Sequence, residues 1–182
     1  PEDLVDSEVA VGYHSGSHYS AIQALEVFLP PERIKLKFAG LPWARVDLAL
    51  ACKADAVNVW GPQRYVLEQH GFRKIADATF MMTFMFPHGT NTDDVERYMR
   101  GLRQAQMDID LEPERYKHYF LNEIPERFHN KIDARRFGVG ERVVFLPYSR
   151  EMFETTQSWM HDRKLFDVGP EVGVSYNKAV RS

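Results

Sequence analysis

The sequence predicts an α/β fold in three layers, a mostly parallel sheet flanked by helices, with a helical C-terminal third. Three observations predict it. Between residues 8 and 60, short apolar stretches of period two alternate with stretches of helical spacing. Strands that alternate with helices are joined by crossovers, which favours parallel pairing with helices on the sheet faces. From Asn91 onward the period-two signal gives way to helical spacing.

Glu8-Val9-Ala10-Val11-Gly12-Tyr13 alternates as a first strand and runs into His14-Ser15-Gly16-Ser17-His18, a small polar turn. Ile22, Leu25 and Phe28/Leu29 then recur at helical spacing until Pro30-Pro31, where the missing amide and the crowding ring end a helix. Ile34-Lys35-Leu36-Lys37-Phe38 places both lysines on one face, as in a strand with a wetted side. A helix over about 43–53, a strand over 55–60, a helix over 63–70 and strands over 72–76 and 79–86 follow, giving the order βαβαβαββ. Asn91-Thr92-Asp93-Asp94 offers a cap and acidic first-turn residues to a long helix bearing Val95, Tyr98, Met99, Leu102, Ala105 and Ile109. A helical segment over 112–123, an irregular charged stretch through Gly140, and a helix opened by Ser149-Arg150-Glu151 complete the chain. The expected division is an α/β ligand-binding lobe over 1–90 and a helical portion over 91–182 packed on it and on a further, missing lobe.

With 182 residues, 44% of them hydrophobic, the chain is sized for one full core. A net charge of −3 with scattered bases argues against nucleic acid as a partner, and no stretch approaches the ~20 apolar residues of a membrane span. The single cysteine, Cys52, excludes an intramolecular disulfide and a cysteine-based zinc site, and its apolar neighbours suggest a buried, inert thiol. No charged and apolar leader opens the chain, which suits a cytoplasmic protein; a processed periplasmic binder reads the same way, so localisation stays open.

Ligands on parallel sheets bind beyond the carboxyl ends of the strands. Two loops stand there, 14–18 and Trp60-Gly61-Pro62-Gln63, so the candidate ligand-binding residues are Ser15, Gly16, Ser17, His18, Tyr19, Asn58, Trp60 and Gly61. Ser15-Gly16-Ser17 at a helix start can offer hydroxyls and free amides to a carboxylate, sulfonate or phosphate. The competing reading is that Ser17 caps the helix and Gly16 makes the turn. His14 and His18 are four apart, but Gly16 lies between them and no carboxylate or cysteine completes a set, so no metal and no cofactor are expected. Either histidine is a general acid/base or hydrogen-bond donor, or else a solvent-facing loop residue. Trp60 stacking on a planar ligand and Asn58 donating its amide compete with plain core packing. His88, His118, His129 and Arg135-Arg136 read as a solvated face, and the aromatic runs 116–120 and 80–86 read as core. Gly138-Val139-Gly140 lacks the context of a dinucleotide loop.

Val9-Ala10-Val11-Gly12, Ser15-Gly16-Ser17-His18, the apolar helix, and Ala54-Asp55-Ala56-Val57-Asn58-Val59-Trp60 with Gly61-Pro62 resemble the second lobe of type II periplasmic solute-binding proteins, the nitrate, sulfonate, taurine and thiamine-precursor transporter group. The helix from Glu151 to Arg163 with Leu165-Phe166 resembles that family's C-terminal segment. Gly61 stands where family members carry an acid, so a carboxylate contact to a cationic ligand does not carry over. The family's first lobe, about ninety residues, is absent, and the resemblance therefore implies a cleft completed by another lobe or by a second chain. The role it implies is binding of a small organic, anionic or aromatic ligand, as in ABC-transporter substrate-binding proteins. The same scaffold also resembles an aromatic desulfinase, a dihydroxyphthalate decarboxylase and a thiamine-pyrimidine synthase. The alternative is thus an enzyme subunit, a lyase or hydrolase with His14 and His18 as acid/base.

Overall fold

The computed structural model describes residues 1–165 and 175–180. The chain forms two compact units, one of Pro1–Met82 with His88–Val143 and one of Thr83–Pro87 with Val144–Ser182.

In the first unit the N-terminal elements run β1 (Glu8–Val11), α1 (Gly16–Leu25), β2 (Lys35–Phe38), α2 (Pro42–Leu50), β3 (Ala56–Val57) and α3 (Gly61–Gln69). The sheet is parallel in the order β2-β1-β3, with Val9 beside Leu36 and Ala56, and Ala10 beside Lys37 and Val57. Alternation along the strands assigns the two faces. Val9, Val11 and Ala56 pack with Ala21, Leu25 and Leu29 of α1 and its exit. On the other face Val57 joins Val46 and Ala49 of α2, Tyr65, Val66 and Leu67 of α3, and Ile124, Phe128 and Phe137 from later in the chain. The result is a mixed α/β unit with a small parallel sheet between helices. Each fully buried valine or leucine contributes roughly 1.5–3 kcal/mol.

Proline sets the entries of α2 and α3, where Pro42 and Pro62 stand in the first turn and need no amide donor. α2 stops at Leu50, and Cys52, two residues on, takes a left-handed φ of 52°. The thiol is exposed there, which corrects the expected burial: a residue two past the helix end turns away from the apolar face.

Two of the five expected strands do not form. Residues 72–76 and 79–86 have no ladder partner among the described residues, and the order is βαβαβα. The run 79–86 has strand composition, but β3 offers only two paired residues as an edge to join. Met82 and Met85 are instead 76% and 89% exposed, and Phe84 and Phe86 are exposed too, so this run is not the core it was expected to be.

α4 (Thr92–Leu111) begins where the sequence places it, with the Asn91 side chain accepting from Asp93 N at 2.8 Å. The expected helix over 112–123 is split into α5 (Pro113–Tyr116) and a 3₁₀ stretch, Lys117–Glu123; α6 (Glu126–His129) and a 3₁₀ turn at Ala134–Arg136 lead to the loop that ends this unit. In the second unit α7 (Arg150–Asp162) is capped by Ser149 Oγ on Met152 N at 3.1 Å, and α8 (Tyr176–Ala179) is tied back by Tyr176 Oη donating to Tyr148 O at 2.8 Å. Phe166, named in the expected C-terminal segment, lies outside the described residues. No helix among the described residues is long and apolar enough to cross a membrane.

Candidate functional site

The carboxyl ends of the three strands carry the loops that position every candidate residue. Gly12 ends β1, and His14 turns the chain with a left-handed φ of 43° before α1. Ser15 is the residue at the α1 start, yet it does not cap the helix. Its Oγ donates to Gly12 O at 2.9 Å and lies 2.8 Å from Ser17 Oγ, which in turn accepts from Gly12 N at 2.9 Å. Both hydroxyls are therefore turned into the loop. Ser17 is fully buried, and because the His18 and Tyr19 amides donate to Ser15 O, the helix-start amides left to a ligand are those of Gly16 and Ser17.

Asn58 anchors this turn from the sheet. Its Nδ2 donates to Ser17 O and to Ser20 Oγ, both at 3.0 Å, and its own amide donates to Ala10 O at 2.9 Å.

An aromatic and imidazole cluster covers the mouth of the loop. Tyr13 lies 4.8 Å from Phe38 and 4.1 Å from His14 between ring centroids, and His18 stacks on Tyr19 at 5.0 Å and meets Phe38 edge-on at 5.1 Å. His18 is buried, and its Nδ1 accepts the His14 amide at 3.3 Å, which places the proton of the neutral ring on Nε2. Burial, and secondarily the neighbouring His14, push its pKa down, so the ring resists protonation. His14 Nδ1 lies 2.5 Å from the Tyr19 hydroxyl, whose pKa is pushed up by burial and by Tyr13. This pair is a proton donor and acceptor within transfer distance. Among the described residues no group of three or more histidine, cysteine, aspartate or glutamate side chains is arranged to hold a metal ion.

At the other loop, Trp60 is 37% exposed and meets Phe80 edge-on at 6.4 Å. Gly61 has a φ of 47°, and Glu141 Oε1 lies 2.8 Å from where a Cβ at residue 61 would stand. A carboxylate from a distant segment thus stands beside position 61.

Sequence reasoning missed three members of the site: Arg45, Glu141 and Phe80. Arg45 is 1% exposed, donates Nε to Asn58 O at 3.0 Å and Nη1 to Gly40 O at 2.6 Å, and so joins the ends of β3 and β2. A signal for it did exist, since residue 45 shares the helix face of Ala49, which is core. Glu141 and Phe80 reach the site from segments without helix or strand, and no periodicity points to them.

No family model, curated protein or solved structure matches this chain. The site gathers Ser15, Gly16, Ser17, His18 and Tyr19 on one loop and Asn58, Trp60 and Gly61 on the other, at one edge of the sheet, with His14 at the rim.

Proposed function

We propose that this edge binds a small organic ligand, anionic or aromatic, in a cleft completed by another lobe or chain, as ABC-transporter substrate-binding proteins of the type II periplasmic class do. The observation that carries the reading is the aromatic mouth. Tyr13, Phe38 and Trp60 stay 66%, 51% and 37% exposed around an uncapped helix start, at the place where parallel sheets receive ligands. Apolar surface of that kind is stabilised by a planar or aliphatic ligand and by a surface closing over it.

Native mass spectrometry of the protein purified from its source tests this. A retained small molecule and a stoichiometric second chain are the expected result. A chain carrying neither, and binding nothing from a panel of small carboxylates, sulfonates and neutral and cationic aromatics, refutes the reading.

The His14–Tyr19 pair at 2.5 Å supports a second reading, an enzyme subunit of lyase or hydrolase type in which His14 or His18 moves a proton. His14→Gln and His18→Asn separate the two. A binder retains its ligand affinity in both variants; an enzyme keeps affinity and loses turnover.

A further inference from the structure

Arg45 is a buried cation without a counter-ion. Its Nε and Nη1 are spent on the neutral carbonyls of Asn58 and Gly40, and its Nη2 is buried with no partner. No carboxylate among the described residues pairs with it, and burial alone acts on its pKa, pulling it down. A guanidinium held this way is stabilised by any anion that reaches it.

Its surroundings favour such an anion. α1 starts without a side-chain cap, and since the His18 and Tyr19 amides donate to Ser15 O, the Gly16 and Ser17 amides remain for an anion at the positive end of this ten-residue helix. A Cβ at Gly12 would stand 2.9 Å from Ser15 Oγ and 3.1 Å from Arg45 Nη1, so guanidinium and helix start face each other across a residue with no side chain. The Trp60 ring lies over the guanidinium, 5.7 Å from centroid to Cζ. Phe80 closes the group: its Cζ is 2.5 Å from the position of a Gly16 Cβ, and its ring abuts Trp60. Residues 72–87 that carry Phe80 contain no helix or strand, so its ring can be displaced without breaking a ladder.

We propose that this is a carboxylate subsite, in which Arg45 and the α1 first-turn amides hold the head of a monocarboxylate whose apolar body lies on Trp60 in the place of the Phe80 ring. Glu141 favours a single charge: its carboxylate stands beside Gly61 at the α3 entrance, where it makes no capping hydrogen bond, and it disfavours a second negative charge on a ligand lying on Trp60. The proposal rests on the binding reading above and adds the ligand's charge, its apolar body and the residue that recognises it.

The test is calorimetric titration of the full chain, with any second chain it carries, using benzoate, benzamide, benzamidine and sulfate at constant ionic strength. Benzoate is expected to bind at least about tenfold more tightly than benzamide, sulfate more weakly than benzoate, and Arg45→Met to cost benzoate about tenfold to a hundredfold. Phe80→Ala is expected to tighten benzoate binding by uncovering the subsite. Equal affinity for benzoate and benzamide, or unchanged benzoate affinity in folded Arg45→Met, overturns the proposal. Where Arg45→Met does not fold, the benzoate–benzamide ratio in the unaltered chain and in Phe80→Ala decides, since neither touches Arg45. Binding of benzamide or benzamidine without benzoate overturns the subsite and leaves the binding reading standing; binding of no aromatic overturns the subsite, and the binding reading falls with it only where the small carboxylates and sulfonates of the panel above also fail to bind.

Discussion

Replacing Asn58 with alanine is expected to loosen the whole edge, because one side chain ties β3 to the first turn of α1. Its Nδ2 makes two hydrogen bonds, to Ser17 O and Ser20 Oγ at 3.0 Å. Ser17 O keeps its place in the helix ladder, but Ser20, only 3% exposed, loses its donor. Two lost bonds at about 1 kcal/mol each, together with the void left by the amide, give an expected destabilisation of about 2–4 kcal/mol. For a urea slope of about 2 kcal/mol/M, the middle of the range for small proteins, the midpoint falls by about 1–2 M. The assay is urea unfolding followed by tryptophan fluorescence in a Trp159→Phe background, which leaves Trp43 and Trp60, both in the first unit, as reporters. Asn58→Asp is expected to be at least as costly, since it turns a donor into a charged acceptor facing the Ser17 carbonyl. Stability within about 0.5 kcal/mol of the parent in both variants refutes the claim that this amide holds the edge together.

Burial of His18 gives a pH dependence of definite sign. With its pKa held below the unfolded value in the fold, the unfolded chain takes up its proton first, so stability falls as pH drops below about 6.5 and levels off once pH passes the folded value. His18→Phe is expected to flatten that part of a melting-temperature profile, and an unchanged slope contradicts the assignment. A Cβ at Gly138 would meet the Tyr65 hydroxyl at 2.6 Å, and that ring is buried, stacked on Phe137 and held by the Gly140 amide at 2.9 Å. Gly138→Ala is therefore expected to cost about 1–3 kcal/mol, and less in a Tyr65→Phe background; a double-mutant cycle measures the difference. Arg127 grips both oxygens of Asp47 at 2.9 and 3.0 Å, yet the pair is half exposed, so Asp47→Asn is expected to change stability by less than about 1 kcal/mol.

The alternation of β1, β2 and β3 with α1, α2 and α3 was legible because each element is amphipathic against the same sheet, and period two and period 3.6 each leave a trace. α4 and α7 were legible from their caps, Asn91 and Ser149. The strands expected over 72–76 and 79–86 failed because strand propensity states what a segment tolerates, whereas a ladder needs a neighbour of matching length. At the site, the sequence located the loops but not the orientation of their groups. Ser15 and Ser17 look like outward donors in a string of letters, and their bonds to Gly12, from Ser15 Oγ to its carbonyl and from its amide to Ser17 Oγ, turn them inward. Glu141 stands at Gly61 across eighty residues of chain, a juxtaposition that no local pattern encodes.

The sheet's two outer margins differ in a way that bears on how copies of this chain meet. β2 leaves one side of its backbone unpaired but carries Lys35 and Lys37, and Lys37 is already engaged by Glu8 at 2.8 Å; β3 leaves a margin only two residues long. A foreign strand docking along β2 has to accommodate ammonium groups, and along β3 it finds too short a rail. Residues 79–86, uncharged and free of proline, form the segment most disposed to dock in that way. With threonine at 35 and 37 the ammonium groups no longer guard the β2 margin, and residues 79–86 of a neighbouring copy meet an edge they can pair with.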